Sequence, residues 1–460
     1  MQPTNIIVIG VLTGSLVTVI GLHKRHHEKK KVDPTKKAPP GSFGWWLIGE
    51  SIAFFKDPRQ FDATRIAKYG PSFLTHLFFE PSIRLGHAED VRTLLSKGEV
   101  KGDVEAGDLP HLRVLFGTSS IMSSSGPRHL LLRRLVMPHL IGNALQSYVD
   151  TIDSLISNQL EQFNDGTIHS TQELKRVTLD ITFQCVVGEI DNLPLFHQHL
   201  LTWKDGILAL PINLPFTTFG KAVRARNELD QLLKLHIQSD TASPVIQSLI
   251  ADVDETCVLD NLLFLISAGH NTSFHAMQTC STMLFMPENA SLLNQIREEI
   301  VSNGIHRDTP LDMTRIRNLK LLHSFMKEAL RIHSVASVLP PRRAVRELSL
   351  VDGSLVPPGT SLSYTTMHMH TDPAIWGPAT FNPYRFMDES GEDQVKHSLN
   401  YAVFGRGNRV CPGEQFALLE IKVFLIRLVM NYQWTISETF EVNGFTHALA
   451  CRFNSSEVSS

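Results

Sequence analysis

The chain is poor in cysteine and carries little net charge. Its 460 residues contain five cysteines, an odd number, and none of them forms a CxxC pair. The sequence therefore indicates neither a disulfide framework nor a zinc site, and it favours a reducing compartment. A formal net charge of −3 gives no electrostatic basis for binding nucleic acid, and we predict no such partner. The cysteines other than Cys411 are expected to be small buried apolar residues.

Long apolar runs are scarce as well, and the exception lies at the N-terminus. Residues 5–22 form an uncharged stretch just long enough to cross a bilayer, and the basic residues 23–31 favour a cytosolic exit. We predict a transmembrane anchor over 5–22 in contact with membrane lipid, a basic and proline-containing linker over 23–44, and one large domain over 45–460. A cleaved signal or an organelle-targeting segment is the alternative interpretation.

No internal repeat, low-complexity tract or second linker interrupts residues 45–460. Helical periodicity dominates there. Residues 72–79 with 82–86, and the stretch 348–358, instead show the pattern of short strands bounded by turn residues. The sequence therefore predicts a mainly α fold with small β-sheets.

One cysteine stands in a glycine-rich loop over residues 404–414. Glycines let the backbone approach a flat ligand, and Pro412 has no amide N–H to donate. The helix predicted over 415–430 places its positive N-terminal end beside Cys411, and we expect this to lower the pKa of the thiol. A lone thiolate suits haem iron, because its electron donation favours O–O cleavage. A buried structural cysteine is the competing interpretation.

This loop resembles the signature of the cytochrome P-450 (haem-thiolate monooxygenase) superfamily. The five fixed positions of that signature are matched by Phe404, Gly407, Arg409, Cys411 and Gly413. The resemblance implies the cytochrome P-450 fold, haem b with Cys411 as its axial ligand, and O2 as co-substrate. It also implies electrons from NADPH, delivered by a partner cytochrome P-450 reductase.

Two further segments support the resemblance. Glu328 and Arg331 stand three residues apart on a predicted helix, which places the acid and the guanidinium on one face. Residues 383–386 are similar to the family's PxRF segment, in which the equivalent of Arg385 joins the other two side chains. Such a buried network offsets its desolvation only when all its members are present.

The apolar stretch 258–286 is interrupted by small and polar residues at 267–273. Gly269 costs about 1 kcal/mol relative to alanine inside a helix, which indicates a local purpose. In the family, the equivalent stretch crosses the distal face of the haem. There Gly269 would open a groove for dioxygen, and the Thr272 hydroxyl would direct protons to it. A kink cap, in which Thr272 bonds a preceding carbonyl, is the structural alternative.

Asn271 departs from the family pattern, which has Asp or Glu just before the threonine. An amide cannot ionise near neutral pH, so it cannot act as a charged proton relay. Three consequences follow as alternatives: His270 or a water chain substitutes, uncoupling is higher, or the enzyme runs a rearrangement that needs no delivered protons. The retained Thr272 favours the first.

Basic residues match the family's partners for the haem propionates. His129, in place of the family's tryptophan, and Arg133 stand four residues apart and share one face of a predicted helix. Arg409 lies in the cysteine loop, and a further position falls on Arg343 or its neighbour Arg342, of which we assign Arg343. Arginine suits carboxylates because its planar fork binds bidentately, although any of these could be a solvated surface arginine.

Short motifs at 40–44, 210–215 and 225–226 resemble the branch of the superfamily that oxidises steroids, retinoids and other isoprenoids. We therefore expect a membrane-anchored monooxygenase that hydroxylates an apolar, isoprenoid-derived small molecule. In eukaryotic members of the family, this order of anchor, basic residues and prolines marks the endoplasmic reticulum. The alternatives are a haem-thiolate isomerase or dehydratase that acts on a peroxide without a reductase, and a haem-binding sensor without turnover.

Overall fold

The computed structural model describes most of the chain beyond the linker. It covers residues 38–454, apart from 46–47, 79, 108–109, 163–166, 169, 191, 208, 240, 336–339, 379–380, 388–396, 398–399 and 443–444. The anchor predicted over 5–22 and most of the linker lie outside the described residues. Within the part that is described, no helix is long and apolar enough to cross a membrane.

The described chain is mainly helical, as predicted. Its α-helices are α1 (Ser51–Lys56), α2 (Pro58–Tyr69), α3 (Ala88–Thr93), α4 (Pro110–Phe116), α5 (Gly126–Val136), α6 (Val149–Glu161), α7 (Ser170–Thr182), α8 (Leu193–Asp205), α9 (Thr218–His236), α10 (Pro244–Asp252), α11 (Glu255–Leu284), α12 (Ala290–Ser302), α13 (Met313–Asn318), α14 (Lys320–Ile332), α15 (Thr366–Thr371), α16 (Pro373–Trp376) and α17 (Glu414–Asn431).

Small sheets accompany the helices, which also agrees with the prediction. The strands are β1 (Ser72–Leu77), β2 (Glu80–Leu85), β3 (Val104–Ala106), β4 (Thr167–Ile168), β5 (Arg342–Ala344), β6 (Leu348–Ser349), β7 (Leu355–Val356), β8 (Ser361–Tyr364), β9 (Gln433–Val442) and β10 (Phe445–Asn454). They form sheets of order β1-β2-β8-β5-β3, β4-β10-β9 and β6-β7.

The hairpin of β1 and β2 differs from the predicted one at a proline. Strand β2 begins at Glu80 and includes Pro81, which pairs with His76 of β1. We predicted strands over 72–79 and 82–86, with Glu80 and Pro81 between them rather than in the second strand. The parallel pairing of β2 with β8 starts only at Ser82. Pro81 therefore lies near the start of the strand, before the part that is paired on both sides. Proline is tolerated at such a position.

Helix α11 is the long central element and positions the site. It begins where the Asp254 carboxylate accepts the Cys257 N–H at 2.9 Å, and it ends at Leu284, shortly before Pro287. It packs against α7, α14 and α17, and most of its side chains are buried. Because α17 follows the cysteine loop directly, this packing sets the loop close to the middle of α11.

Candidate active site

A largely apolar cavity lies between α11 and the loop that precedes α17. Cys411 lines one of its walls, and Gly269 and Thr272 of α11 line another. The structure thus brings together the residues that sequence reasoning assigned to a metal ligand and to oxygen activation. Apolar side chains form much of the remaining lining, among them Ile121, Phe264, Leu330, Val335, Val403 and Phe404.

The cysteine loop is closed by its own backbone. The Cys411 N–H donates to the Phe404 carbonyl at 2.7 Å. Gly405 and Gly407 have φ values of 75° and 69°, in the region that favours glycine. At Gly407, a Cβ would also lie 2.2 Å from the Leu95 carbonyl oxygen. The loop therefore depends on glycine for both its turn and its close packing, and together these hold Cys411 at the cavity.

A cluster of basic side chains shares the cavity lining: His129, Arg133, Arg342 and Arg409. Burial, with the charge of Arg409 second, lowers the pKa of His129 to about 4, so its imidazole is neutral at pH 7. Arg133 donates from Nη1 to the Val410 carbonyl at 2.7 Å, which ties α5 to the cysteine loop. The cavity therefore combines apolar walls with a concentration of positive charge.

The middle of α11 presents two small groups to the cavity. A Cβ at Gly269 would lie 3.3 Å from Thr182 Oγ1 of α7, so glycine permits the close approach of the two helices. Thr272 Oγ1 donates to the Ala268 carbonyl at 2.6 Å. That bond is the kink cap considered above, yet Thr272 also lines the cavity. Its oxygen can accept a second hydrogen bond while its proton is held by Ala268.

The predicted network of Glu328, Arg331 and Arg385 is confirmed. Arg331 binds the Glu328 carboxylate bidentately at 2.7 and 2.8 Å, and both side chains are buried, with 1% and 0% exposure. Arg385 Nε lies 3.1 Å from the same carboxylate. The network joins α14 to the segment after α16. Because Leu330 of α14 lines the cavity, the network braces one of the cavity's walls.

Comparison with known protein families places the chain. The model of the cytochrome P-450 family matches residues 39–210 and 218–450. The chain belongs to the cytochrome P-450 family. It is a cytochrome P-450 monooxygenase.

Individual relatives cover nearly the same span. The chain is 27% identical to Cytochrome P-450 85A1 of Brachypodium distachyon, over 93% of each chain. It is 25% identical to Abscisic acid 8'-hydroxylase 1 of Arabidopsis thaliana, over 86% of each chain. A solved structure described as retinoic acid bound cyanobacterial CYP120A1 superposes with a TM-score of 0.81 at 25% identity, covering 92% of this chain and all of that one.

The cavity fits the haem that the P-450 family implies. It offers one sulfur, apolar walls for a flat macrocycle and a cationic cluster for two propionates. Burial lowers the pKa of Arg342. The nearby Tyr364 raises that pKa, whereas the charge of Arg409 lowers it and so disfavours the cationic form. Arg409 likewise disfavours charge on His129. Two carboxylates placed here would offset this repulsion. His129, Arg133, Arg342 and Arg409 are therefore suited to hold the propionates.

The Cys411 thiol differs from expectation in its acidity. Burial raises its pKa to about 11, although a backbone hydrogen bond at Gly413 and the charge of Arg133 act in the opposite direction. The predicted net lowering of the Cys411 pKa is therefore wrong, because desolvation of a thiolate outweighs the backbone amide at the start of α17 and the charge of Arg133. A bound metal ion deprotonates a coordinating thiol outright. Ligation, rather than the helix terminus, would supply the anionic form.

Arg409 also contacts residues outside its own loop. Its Nε and Nη2 each lie 2.6 Å from a carboxylate oxygen of Glu99, and Nη2 donates to the Ser124 carbonyl at 2.5 Å. Burial opposes ionisation of Glu99, but the hydrogen bonds from Arg409 prevail and lower its pKa. Arg409 therefore also clamps the cysteine loop to the segments before β3 and before α5.

Arg343 does not line the cavity, so the predicted assignment of this residue to the propionates is wrong. Its Nη2 donates to Glu80 at 2.8 Å, and its Nη1 donates to the Gly359 carbonyl at 3.1 Å. Its neighbour Arg342 is buried and lines the cavity instead. Both residues belong to β5, where successive side chains point to opposite faces. A shift of one residue therefore exchanges a cavity-facing arginine for one that faces β2.

Asn271 and His270 point away from the cavity lining. Lys204 Nζ of α8 donates to Asn271 Oδ1 at 2.5 Å. His270 Nδ1 lies 3.1 Å from Thr178 Oγ1 of α7, and burial lowers the His270 pKa to about 3. Neutral and turned towards α7, His270 is poorly placed to deliver a proton beside Thr272. A water chain, rather than His270, is thus favoured as the substitute for the family's acid in proton delivery.

Sequence reasoning missed two residues that shape this site. Glu99 holds Arg409, and Lys204 holds Asn271, yet each comes from a segment far away in sequence. No local motif marks either one. A signal did exist for Arg342. Side chains alternate along the short strand β5, so only one of the two adjacent arginines can face the cavity.

Proposed function

We propose that this cytochrome P-450 is a membrane-anchored monooxygenase that inserts one oxygen atom of O2 into an apolar, isoprenoid-derived small molecule. The observation that carries the proposal is the common cavity of Cys411, Gly269 and Thr272. The substrate class is supported by the apolar lining and by two relatives. One is named as an abscisic acid hydroxylase and the other is described as bound to retinoic acid, and both molecules are isoprenoid carboxylic acids.

The residues divide the work between binding and proton supply. Cys411 would ligate haem iron, and the cationic cluster would bind its propionates. When bound, the haem supplies the activation of dioxygen. Gly269 leaves room beside α11 for a small ligand. Thr272 Oγ1, whose own proton is held by Ala268, is placed to accept a proton-donating water and to keep it in line for transfer.

Electron supply from an NADPH-dependent cytochrome P-450 reductase is supported by charge beside the cysteine loop. Arg406 of the cysteine loop and Arg92 of α3 are both partly exposed, and the charge of Arg92, after burial, lowers the pKa of Arg406. Lys97 and Arg134 are exposed on neighbouring elements. A positive surface on the cysteine side of the molecule would attract an acidic partner and orient its encounter.

Membrane association is supported by sequence and by exposed apolar side chains. The run over 5–22 has the length and the basic flank of an anchor. Large apolar residues also remain strongly exposed in two segments of the domain: Trp45, Ile52, Leu210, Ile212 and Phe216. An enzyme on the cytosolic face of the endoplasmic reticulum would take apolar substrates from lipid.

Reconstitution with a reductase tests the proposal. The full chain, a cytochrome P-450 reductase, NADPH and a panel of isoprenoid acids and alcohols are incubated under ¹⁸O2. We expect NADPH-dependent products that carry one ¹⁸O atom. Conversion of an isoprenoid hydroperoxide without NADPH or reductase would instead support the isomerase alternative, to which Asn271 is suited. A full haem complement without any turnover across the panel would support the sensor.

A further inference from the structure

We propose that Arg226 is a positioning residue that acts through Asp260 to hold residues 115–122, called here the wall segment, closed against α11. In this role it sets how fast an apolar ligand leaves the cavity. The proposal rests on the proposed function in one respect, since it takes the cavity to be the site of haem and substrate. Arg226 belongs to the 225–226 motif, to which the site described above gives no role.

Arg226 lies on α9 and uses its whole guanidinium for three partners. Its Nε binds the Asp230 carboxylate at 2.8 and 2.9 Å, one turn further along the same helix. Its Nη2 lies 2.7 Å from Asp260 Oδ1 of α11, and its Nη1 donates to the Leu115 carbonyl at 2.7 Å. The side chains of Arg226 and Asp260 are only 9% and 3% exposed. One arginine therefore joins two helices to the start of the wall segment.

Asp260 passes this restraint on to the wall segment. Its second oxygen accepts the Ser119 N–H at 3.0 Å. Gly117 has a φ of 75°, and a Cβ there would lie 2.0 Å from the Asp260 carboxylate. The adjacent Asn261 accepts the Ile121 N–H at 2.8 Å. The wall segment thus depends on side chains of α11 for backbone hydrogen bonds that no regular secondary structure supplies.

The restrained segment leads into the cavity. Ile121 and Met122 line it, directly after the amides that Asp260 and Asn261 hold. At the other end of the wall segment, the Phe116 ring packs edge-on against Trp203 of α8 with centroids 4.9 Å apart. Trp203 Nε1 also donates to the Leu115 carbonyl at 3.1 Å. Release of Arg226 would loosen the contact between this wall, α8 and α9.

A second ion pair between the same two helices provides a matched control. Lys234 Nζ of α9 lies 2.9 Å from Glu255 of α11, but both side chains are 49% exposed. Among the described residues, neither side chain forms a hydrogen bond or an ion pair with the wall segment. Solvent-exposed pairs contribute little, whereas removing one partner of a buried pair leaves an uncompensated charge. An effect specific to the wall should therefore follow Arg226 and Asp260 and spare Lys234.

The test measures ligand escape from the haem-loaded full chain. Arg226→Gln, Asp260→Asn, their double variant and Lys234→Gln are compared by stopped-flow displacement of 4-phenylimidazole, with imidazole as a small probe. Amide hydrogen exchange of residues 115–122 is followed in parallel. We expect the two single variants to speed 4-phenylimidazole dissociation about tenfold, and the double variant to add little further, because coupled partners are not additive. Imidazole dissociation should remain near the wild-type rate in all variants. In Lys234→Gln, 4-phenylimidazole dissociation should also remain near the wild-type rate.

Several outcomes would overturn the proposal. One is an unchanged 4-phenylimidazole dissociation rate with unchanged exchange at Ser119 and Ile121. Another is an equal acceleration for imidazole, which would place the change at the iron. If Arg226→Gln does not fold, Arg226→Lys replaces it in the test, since lysine keeps the charge but lacks the planar guanidinium. We expect an intermediate acceleration of 4-phenylimidazole dissociation in Arg226→Lys, and a wild-type rate would contradict the proposal. If the wild-type chain takes up no haem, the proposed function fails. Amide hydrogen exchange would still test whether Arg226 and Asp260 restrain the wall segment.

Discussion

The cysteine loop and helix α11 line the same cavity, but they are fixed by different kinds of contact. The loop is closed by a backbone hydrogen bond from the Cys411 N–H to the carbonyl of Phe404, seven residues earlier, and by glycines that permit its turn. The polar residues of α11 depend on other helices, since Asn271 contacts Lys204 of α8 and His270 contacts Thr178 of α7. The turn of the loop can be inferred from its motif, whereas no local motif records the contacts that Lys204 and Thr178 make with α11.

The largest expected effect lies on the loop side. Cys411→Ala should abolish the thiolate-type carbon monoxide difference spectrum, because among the described residues Cys411 is the one cysteine that lines the cavity. Cys257→Ala and Cys280→Ala are controls, since both side chains are buried elsewhere. A Cys411→Ala protein that kept the spectrum, while one of the controls lost it, would show that the ligand had been assigned to the wrong cysteine.

The next effect concerns the Glu328–Arg331–Arg385 network, which braces the cavity wall formed by α14. Glu328→Gln leaves Arg331 and Arg385 without their shared carboxylate, and removal of one partner from a buried pair costs about 3–5 kcal/mol of unfolding free energy. We expect a large loss of folded, haem-loaded protein, measured by urea unfolding and haem absorbance.

Arg315→Gln is the matched control for that network. Asp312 and Arg315 have the same spacing of three residues, but their side chains are 42% and 41% exposed. Removing an exposed pair should change the unfolding free energy by less than about 1 kcal/mol. Equal losses for the two variants would mean that burial does not distinguish the network from an ordinary surface pair.

A smaller effect is expected on the α11 side. Thr272→Ala removes the hydroxyl from the cavity, and general acid–base steps contribute about 10² or more in rate. We expect less product per NADPH and more hydrogen peroxide, measured together in the reconstituted system. Ser281→Ala is the control, because Ser281 also donates to the carbonyl four residues earlier in α11, at 2.8 Å, but lies away from the cavity. Unchanged coupling in Thr272→Ala would favour the isomerase alternative.

Sequence reasoning succeeded where a few neighbouring residues fix the structure. The cysteine loop, the pair of Glu328 and Arg331, and the helix after the loop all follow from short motifs or from helical spacing. It failed at Arg343, where one residue of strand register decides which arginine faces the cavity. It also failed for the acidity of the Cys411 thiol. Burial of that group depends on packing from the whole fold, and no motif records it.

The last prediction sharpens the comparison at Asn271. The substitution Asn271→Asp restores the family's usual acid, and we expect it to be tolerated. Lys204 Nζ already lies 2.5 Å from the side-chain oxygen, and burial lowers the pKa of Lys204, so a carboxylate here would favour its charged form and pair with it. A held carboxylate is a poor proton relay. We therefore expect product per NADPH to change by less than about threefold, well below a full acid–base contribution.

Repeating Asn271→Asp in a Lys204→Met background tests this reason. Without the lysine, the new carboxylate is released from its ion pair and can take up and pass on protons. Coupling should then improve more than it does beside Lys204, with Lys204→Met alone as the control for the loss of the amine. If Asn271→Asp raised coupling equally in both backgrounds, contact with α8 would not govern this residue. The α11 side would then be as local in its chemistry as the cysteine loop.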